Sequence, residues 1–318
     1  MTRQVSKPKG KLDAALKALT KQGLRRPGRT KHEVVPTGLI GFDAGIGGGL
    51  VRGRIYEIAG NESTGKTTLA LEIAKAFLNR GQAVVYNDYE HALDPAYAEA
   101  MGVRVVDLVF EQPDSLEGGM AVGKKLIETG QVGLAIVDSV AAMQTISEGK
   151  GSIAPAQVPR ALGPILKDYV GLLSRTQTVG LFINQVRTKF AVYGASGIET
   201  PGGRALKYLA SARMFLTARR SKLFPGGIRT KVSVWKNKTN GGICLPSEVE
   251  IVPMRGVVRE QELLELAVVA EVVVTDGVGN YVINGHKIKG RERVLAALRT
   301  DKGRTWVMGR LDKGGVKG

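Results

Sequence analysis

Cysteine is almost missing from this 318-residue chain: Cys244 stands alone. An internal disulfide is therefore excluded, and no cysteine pair exists to hold zinc or an iron–sulfur cluster through thiolates, which suits a reducing cytosol. Aromatic residues are sparse too, at 5%, beside 43% hydrophobic and 24% charged residues. Those last two proportions belong to a soluble globular protein and exclude a largely disordered one. No run approaches the 18 or more apolar residues of a membrane span, and the N-terminal MTRQVSKPKGK lacks the apolar stretch of a secretory signal. A cytoplasmic protein without membrane partners is expected.

Acidic residues are also few, 29 against 46 lysines and arginines, for a net charge of +17. The excess predicts attraction to polyanions. It is concentrated at the ends: residues 1–31 carry +9 and residues 302–318 carry +4. Terminal lysines and arginines keep many proteins soluble, so charge alone does not choose between that role and a pair of arms that meet phosphate backbone.

Leu12, Ala15, Leu16 and Leu19 form one helical stripe over Lys11 to Gln22, followed by the stop signal Gly23. Alone, a helix this short is marginal, so it must dock on its own domain or on a neighbouring subunit. From Val51 strands and helices alternate: GRIYEIAG, a helix from Thr67 to Asn79, AVVYND, then the apolar runs at 134–138, 179–184, 213–218 and 230–235. That texture predicts an α/β fold with a mainly parallel twisted sheet. Thr145 to Pro159 and Thr188 to Gly203 break the pattern and are expected as mobile loops at the carboxyl edge of the sheet, where α/β proteins bind ligands. After Pro253 a helix from Glu260 to Val269, a strand pair near 280–290 and a helix near 291–299 indicate a small α/β C-terminal domain. The expected organisation is a basic arm and helix over 1–31, a core over 32–253, the small domain over 254–300 and a basic tail over 301–318.

Gly60, Asn61, Glu62, Ser63, Thr64, Gly65, Lys66, Thr67 and Thr68 satisfy G-x-x-x-x-G-K-[ST] between a buried strand and a helix start, the setting a phosphate-binding P-loop requires. Glycines let the backbone wrap a polyphosphate, and its N–H groups and the helix's positive end supply the field. Lys66 is expected on the β and γ phosphates of ATP, and the Thr67 hydroxyl on Mg2+ with Asp138, which ends the strand LAIVD and acts through water. Activation of the attacking water needs a carboxylate, for which Glu90 and Asp88, at the end of AVVYND, are rivals; that strand is expected beside the P-loop strand. His91, with no partner at metal-ligand spacing, reads as structural.

GNESTGKTTLALEIA, YEHALDPAYAEAMGV, LAIVDSVAAM, FINQVRTKF, ETPGGRALKYLASAR and KVSVWKNK occur in the order and approximate spacing of the RecA family of DNA-strand-exchange recombinases, and the chain resembles that family from about residue 11 to 300. The resemblance implies a RecA-like P-loop core, DNA-dependent ATP hydrolysis, and pairing of single-stranded DNA with duplex DNA in a helical filament for recombination, repair and the SOS response. Single-strand-binding protein and loading mediators are possible partners by the same resemblance. It selects Glu90 over Asp88 as the catalytic carboxylate, places Asp94 and Tyr97 on the adenine, and makes Gln185 the γ-phosphate sensor. Lys236 and Lys238 match residues that reach ATP on the neighbouring subunit, Tyr208 an aromatic interface residue, and the N-terminal helix an element that packs on the adjacent protomer. Arg160 and Lys167 follow the first DNA loop; Arg187, Gly202, Gly203 and Arg204 lie in or beside the second. Arg and Lys neutralise phosphates, and the glycine pair admits backbone amides to them.

Both loops depart from the usual family sequence, leaving Tyr193 and Ile198 as candidates for the wedge between base triplets. Bacterial members commonly end in an acidic tail that restrains DNA binding, whereas RTWVMGRLDKGGVKG is basic, so readier duplex binding is expected. Three rivals are weighed against this reading. A ring helicase on the same core would form closed hexamers, a P-loop phosphotransferase would turn over ATP without regard to DNA, and a nonenzymatic DNA-coating protein would bind DNA unchanged after Lys66→Ala.

Overall fold

The computed structural model describes residues 33–149, 157–189 and 197–314. The expected helix at Lys11 to Gln22 lies outside them, as does Tyr193. Val34–Val35 (β1) pairs with Leu50–Val51 (β2), flanking the short helix Ile40–Gly45 (α1). Ile55–Gly60 (β3), Lys66–Leu78 (α2), Ala83–Asp88 (β4), Pro95–Ala100 (α3), Leu108–Glu111 (β5), Leu116–Glu128 (α4) and Val132–Asp138 (β6) then alternate. Ile146–Gly149 (α5) and Gln157–Thr176 (α6) lead into Val179–Gln185 (β7), the ribbon of Arg187–Lys189 (β8) and Gly197–Glu199 (β9), and Arg204–Leu209 (α7). Ala212–Arg220 (β10), Ile228–Asn237 (β11), Ser247–Val252 (β12) and Gly256–Val257 (β13) complete the main sheet.

That sheet has nine strands in the order β13-β12-β11-β10-β3-β7-β6-β4-β5. From β10 to β5 every neighbouring pair is parallel, while β11, β12 and β13 extend it antiparallel, so the run at 213–218 is a further parallel strand and the run at 230–235 pairs antiparallel with it. The expectation that β4 neighbours the P-loop strand β3 is corrected: β6 and β7 separate them. Burial explains the order. β6 is buried along its whole length and β7 up to Asn184, whereas β5 leaves Val109 and Phe110 exposed, as an edge strand does. One apolar layer, including Leu69, Ile73 and Phe77 of α2, covers one face; a second, with Leu166, Tyr169 and Leu173 of α6, covers the other.

The two intervals expected as loops contain regular elements among their described residues. α5 and the start of α6 occupy the first, and β8 and β9 pair antiparallel in the second. Gly202 and Gly203 owe their identity to backbone shape and packing: both have positive φ, and a Cβ on Gly202 would lie 2.6 Å from Val140 Cγ1. They wedge the root of the second interval against the first, a tighter role than an open approach to phosphate.

Arg259–Val269 (α8), Val273–Thr275 (β14), Asn280–Ile283 (β15), His286–Lys289 (β16), Arg291–Arg299 (α9) and Asp301–Gly314 (α10) form the C-terminal module. Its three strands pair antiparallel in sequence order, and Leu263, Leu264, Val294 and Leu298 build its own apolar cluster. Of the segment expected as a basic tail, Asp301–Gly314 is helical, with Val307 and Leu311 buried in that cluster. The module is anchored to the sheet by Arg229 of β11, which pairs with Glu248, Glu250 and Glu265. It is anchored to α1 by Glu262, whose carboxylate accepts from the Ile40 and Gly41 N–H groups.

Candidate nucleotide and DNA sites

The register brings the carboxyl ends of four strands to one level. Gly60 pairs with Gln185 across β3 and β7, and Asp88 pairs with Asp138 across β4 and β6. Glu62, Ser63, Thr64, Gly65, Lys66, Thr67, Thr68, Glu90, Asp138 and Gln185 therefore line one cavity of about 330 Å³ above that edge. Gly65 turns the loop into α2 at φ +85°, where a Cβ would come within 2.4 Å of Ile251 Cδ1. Thr64 is buried and clamps the loop: its hydroxyl donates to Asn61 O at 2.8 Å, and its carbonyl accepts from Thr230 Oγ1 at 3.0 Å. Lys66 Nζ donates to Asn61 O at 2.7 Å. Burial lowers the Lys66 pKa, opposed by Glu90, Asp138 and Glu62.

Asp138 is 5% exposed and accepts from Thr67 Oγ1 at 2.8 Å and Tyr86 OH at 2.7 Å. Burial pushes its carboxyl up to about 6; the two hydrogen bonds oppose that shift, and the Glu90 and Asp88 charges add to it. Tyr86 in turn is held protonated well above its ordinary range by burial and by Asp138.

Glu90 and Asp88 separate clearly. Asp88 is buried and accepts from Leu93 N at 3.0 Å and Gln112 Nε2 at 3.2 Å, so it holds the turn after β4. Glu90 is exposed to the cavity and accepts from Ser139 Oγ and, at 3.2 Å, from Gln185 Nε2. Both donors use Oε1; neither uses Oε2. His91 is exposed at φ +53°, part of the turn that presents Glu90.

Asp94 caps α3, accepting from Ala96 N at 2.9 Å, and Tyr97 OH lies 2.8 Å from Thr68 Oγ1, beside the P-loop helix. Lys236 and Lys238 lie away from this cavity. Lys236 Nζ donates to the Lys207 and Tyr208 carbonyls at 2.7 and 3.0 Å, capping the end of α7. Burial lowers its pKa to about 8, with Lys238 and Arg213 adding to the shift. Tyr208 is 64% exposed, and Trp235, next to Lys236, is 45% exposed and stacked on Phe215.

Arg187, Gly202 and Gly203 line a cleft of about 460 Å³ that also holds Pro159 and the carboxylates Glu148 and Glu199. Arg160 and Lys167 are exposed on α6, seven residues apart and so on nearly one face. Arg204 instead lines a neighbouring cavity of about 190 Å³ with Lys207, Tyr208 and Arg213. The structure thus divides the expected DNA residues between a cleft, its rim and α6. Of Ile198 only the backbone pairing with Thr188 is described.

Sequence reasoning missed Ser139 and Tyr86, which orient the two carboxylates, and the buried group of Glu57, Asn184 and Arg213. A signal was present: Glu57 is a charge in the middle of an otherwise apolar strand.

A glycine-turned P-loop, a strand-end acid on the helix threonine and an open carboxylate over the same sheet edge define a P-loop ATPase with a RecA-type core. Known proteins agree. The RecA N-terminal domain family model matches residues 10–257. Protein RecA of Levilactobacillus brevis is 39% identical over 285 residues, 84% of this chain and 74% of that one. Protein RecA of Lactobacillus delbrueckii subsp. bulgaricus is 38% identical over 307 residues, 91% of this chain and 92% of its own. The crystal structure of the RadB recombinase shares the fold, with a TM-score of 0.56 at 21% identity over 70% of this chain and 98% of that one. The chain belongs to the RecA family. It is a RecA-type recombinase and a DNA-dependent ATPase. Among the described residues no helix is long and apolar enough to cross a membrane.

Proposed function

We propose that the cavity at the carboxyl ends of β3, β4, β6 and β7 binds and hydrolyses ATP, and that the cleft beside β8 and β9 holds single-stranded DNA for pairing with a duplex. The observation that carries this reading is the contact of Gln185 with Glu90: one amide, at the end of the strand leading into the second DNA loop, touches the carboxylate facing the phosphate cavity. Backbone N–H groups of Gly60 to Thr68 surround the phosphates, with Lys66 exchanging Asn61 O for phosphate oxygen. Asp94 and Tyr97 flank the base, which fits the Tyr97 hydroxyl's place beside Thr68. The donor set of Thr67 hydroxyl and Asp138 carboxylate suits Mg2+, a hard cation that keeps water and phosphate oxygens as its other ligands. Bound Mg2+ supplies charge neutralisation on the phosphates.

Glu90 accepts the proton of the attacking water through Oε2, while Ser139 and Gln185 fix Oε1. Lys236 and Lys238 of a neighbouring protomer stabilise the charge that develops on the transferred phosphoryl group, as an arginine finger does. Tyr208, exposed near Lys236, belongs to the same surface. A head-to-tail contact of this type does not close and builds a filament. Arg160, Lys167, Arg187 and Arg204 neutralise DNA phosphates, and the Gly202–Gly203 turn sets the loop that carries them. Magnesium dependence, cytoplasmic location and the help of single-strand-binding protein and loading mediators belong to this proposal.

DNA-stimulated ATPase measurements at two salt concentrations test it. Four phosphate contacts on a single strand correspond to a loss of affinity of about 50-fold between 50 and 200 mM salt. Stimulation by DNA that vanishes in Lys66→Ala and in the Lys236→Ala/Lys238→Ala pair is expected. Turnover independent of DNA, or unchanged without the two lysines, would sink the composite site.

A further inference from the structure

A buried polar group sits under the second DNA loop and, apart from Gln185 at its edge, uses none of the residues assigned above to nucleotide or DNA. Glu57, three residues before Gly60 on the P-loop strand, has no exposed surface. Its Oε2 accepts from Arg213 Nε of β10, and its Oε1 accepts from Asn184 Nδ2 at 3.0 Å. Arg213 Nη2 reaches on to Thr200 Oγ1 at 3.2 Å. Asn184 Nδ2 also donates to Pro201 O at 3.0 Å, and its Oδ1 accepts from Gln185 N at 3.0 Å. Every link but Gln185 is 9% exposed or less, apart from the Pro201 carbonyl's residue at the loop root.

Three functional elements meet here. Gln185 leads to Glu90, Thr200 and Pro201 lead to Gly202, Gly203 and α7, and Arg213 stands opposite Lys236 in the β10–β11 register, where it helps to lower the lysine's pKa. A core that needed only stability would fill this place with aliphatic side chains, since replacing a buried ion pair by apolar groups is often neutral or favourable. What the polar group adds is direction: each hydrogen bond permits one arrangement of Gln185 relative to Thr200 and Pro201, and loses its partner when either moves.

We propose that Glu57, Arg213, Asn184 and Thr200 are positioning residues that couple the nucleotide site to the second DNA loop. The inference rests on the proposed roles of Gln185 and of residues 187–204. When the Gln185 side chain is drawn toward bound phosphate, the Asn184 amide shifts its two donors together, and the loop root follows through Pro201 O directly and through Glu57, Arg213 and Thr200.

The measurement is the affinity of full-length protein for a fluorescent single-stranded oligonucleotide, with and without a slowly hydrolysed ATP analogue, together with analogue affinity with and without DNA. Linkage makes the two ratios equal, so a coupling defect lowers both by one factor, whereas a merely structural lesion weakens binding without changing the ratio. In Thr200→Val, which removes one buried hydroxyl, the ratio is expected to fall about fivefold, with analogue affinity in the absence of DNA unchanged and the melting temperature lowered by no more than about 5 °C. The Glu57→Gln/Arg213→Gln pair, which keeps a neutral hydrogen-bonding couple, is expected to lose more. Gln185→Ala is the reference. If it uncouples the sites while folded Thr200→Val retains the full ratio, the relay is refuted and the proposed sensor survives. If Gln185→Ala itself leaves the ratio intact, the sensor assignment fails first. Should the double variant not fold, Thr200→Val decides alone.

Discussion

Replacing Asp138 by asparagine is expected to make the ligand-free protein more stable while impairing it as an enzyme. In the folded chain the carboxyl is buried and its pKa stands near 6, against 3.8 for the free side chain. It therefore keeps its proton on folding at pH values where the unfolded chain has released it. The stability tied to that proton is complete below pH 3.8 and is lost as the pH rises through 6. At pH 8 the carboxylate costs about 3 kcal/mol relative to a neutral group, from roughly two pKa units at 1.36 kcal/mol each. Asparagine keeps an acceptor for Thr67 and Tyr86 and places an amide where no protein donor is needed, which cuts the gain to about 1–2 kcal/mol. For a chain of this size that is a rise of roughly 1.5–3 °C in melting temperature.

The assay is thermal unfolding of both proteins across pH 4.5 to 8, in chelator and without nucleotide. The asparagine variant should melt higher at pH 8, and the difference should vanish or reverse by pH 4.5, where only about 1 kcal/mol of the carboxylate's cost remains. Added Mg2+ and ATP analogue should reverse the order, because the cation favours the charged form that burial disfavours. Equal melting at pH 8, or a difference that does not change with pH, would refute the placement of a strained carboxylate under Thr67.

Glu90→Gln should bind ATP with near-normal affinity and lose turnover by at least about 100-fold, read by comparing analogue binding with phosphate release. Gly202→Ala places a Cβ 2.6 Å from Val140 Cγ1 at positive φ, a cost of about 2–4 kcal/mol; a lower melting temperature and weaker DNA binding check it, and an unchanged protein would show that the turn tolerates a side chain. Lys236, with a pKa near 8, loses its charge as pH rises through that value, so cooperative ATPase activity should decline between pH 7 and 9, and decline less in Lys236→Arg. Deleting residues 302–318 would remove the buried Val307 and Leu311 and so confuses folding with charge; neutralising the exposed Lys302, Arg304 and Arg310 tests the tail's charge instead, and slower nucleation on duplex DNA is the expected result.

The P-loop was legible because its glycines, lysine and threonine must occur at one spacing between a strand and a helix, and β3 and α2 fall within two residues of their expected bounds. Strand order was less so. Nothing local in AVVYND says that two other strands come between it and β3; that follows from β6 and β7 being apolar on both faces while β5 is not. Glu90 and Asp88 could not be told apart by spacing, since the difference lies in distant donors, Ser139 and Gln185 for one and Gln112 for the other. The helical tail was obscured by its charge: α10 buries only a narrow stripe, and its lysines, arginines and glycines dominate the composition.

A common condition links these predictions. Groups proposed to touch nucleotide are engaged with protein: Lys66 with Asn61 O, Thr67 with Asp138, Asp94 with Ala96 N, and Lys236 with the carbonyls that end α7. In the proposed function ATP binding is accordingly an exchange of partners, with a net gain per contact of only about 1 kcal/mol and little affinity from any single residue. The exchange at Lys236 differs in kind. Withdrawing that ammonium toward a neighbouring protomer's phosphate strips the cation from the end of α7, whose other end begins at the Gly202–Gly203 turn. On the proposed role of Lys236, subunit contact and DNA-loop position draw on one short helix, and an interface that engages this lysine is expected to alter the loop root even before hydrolysis.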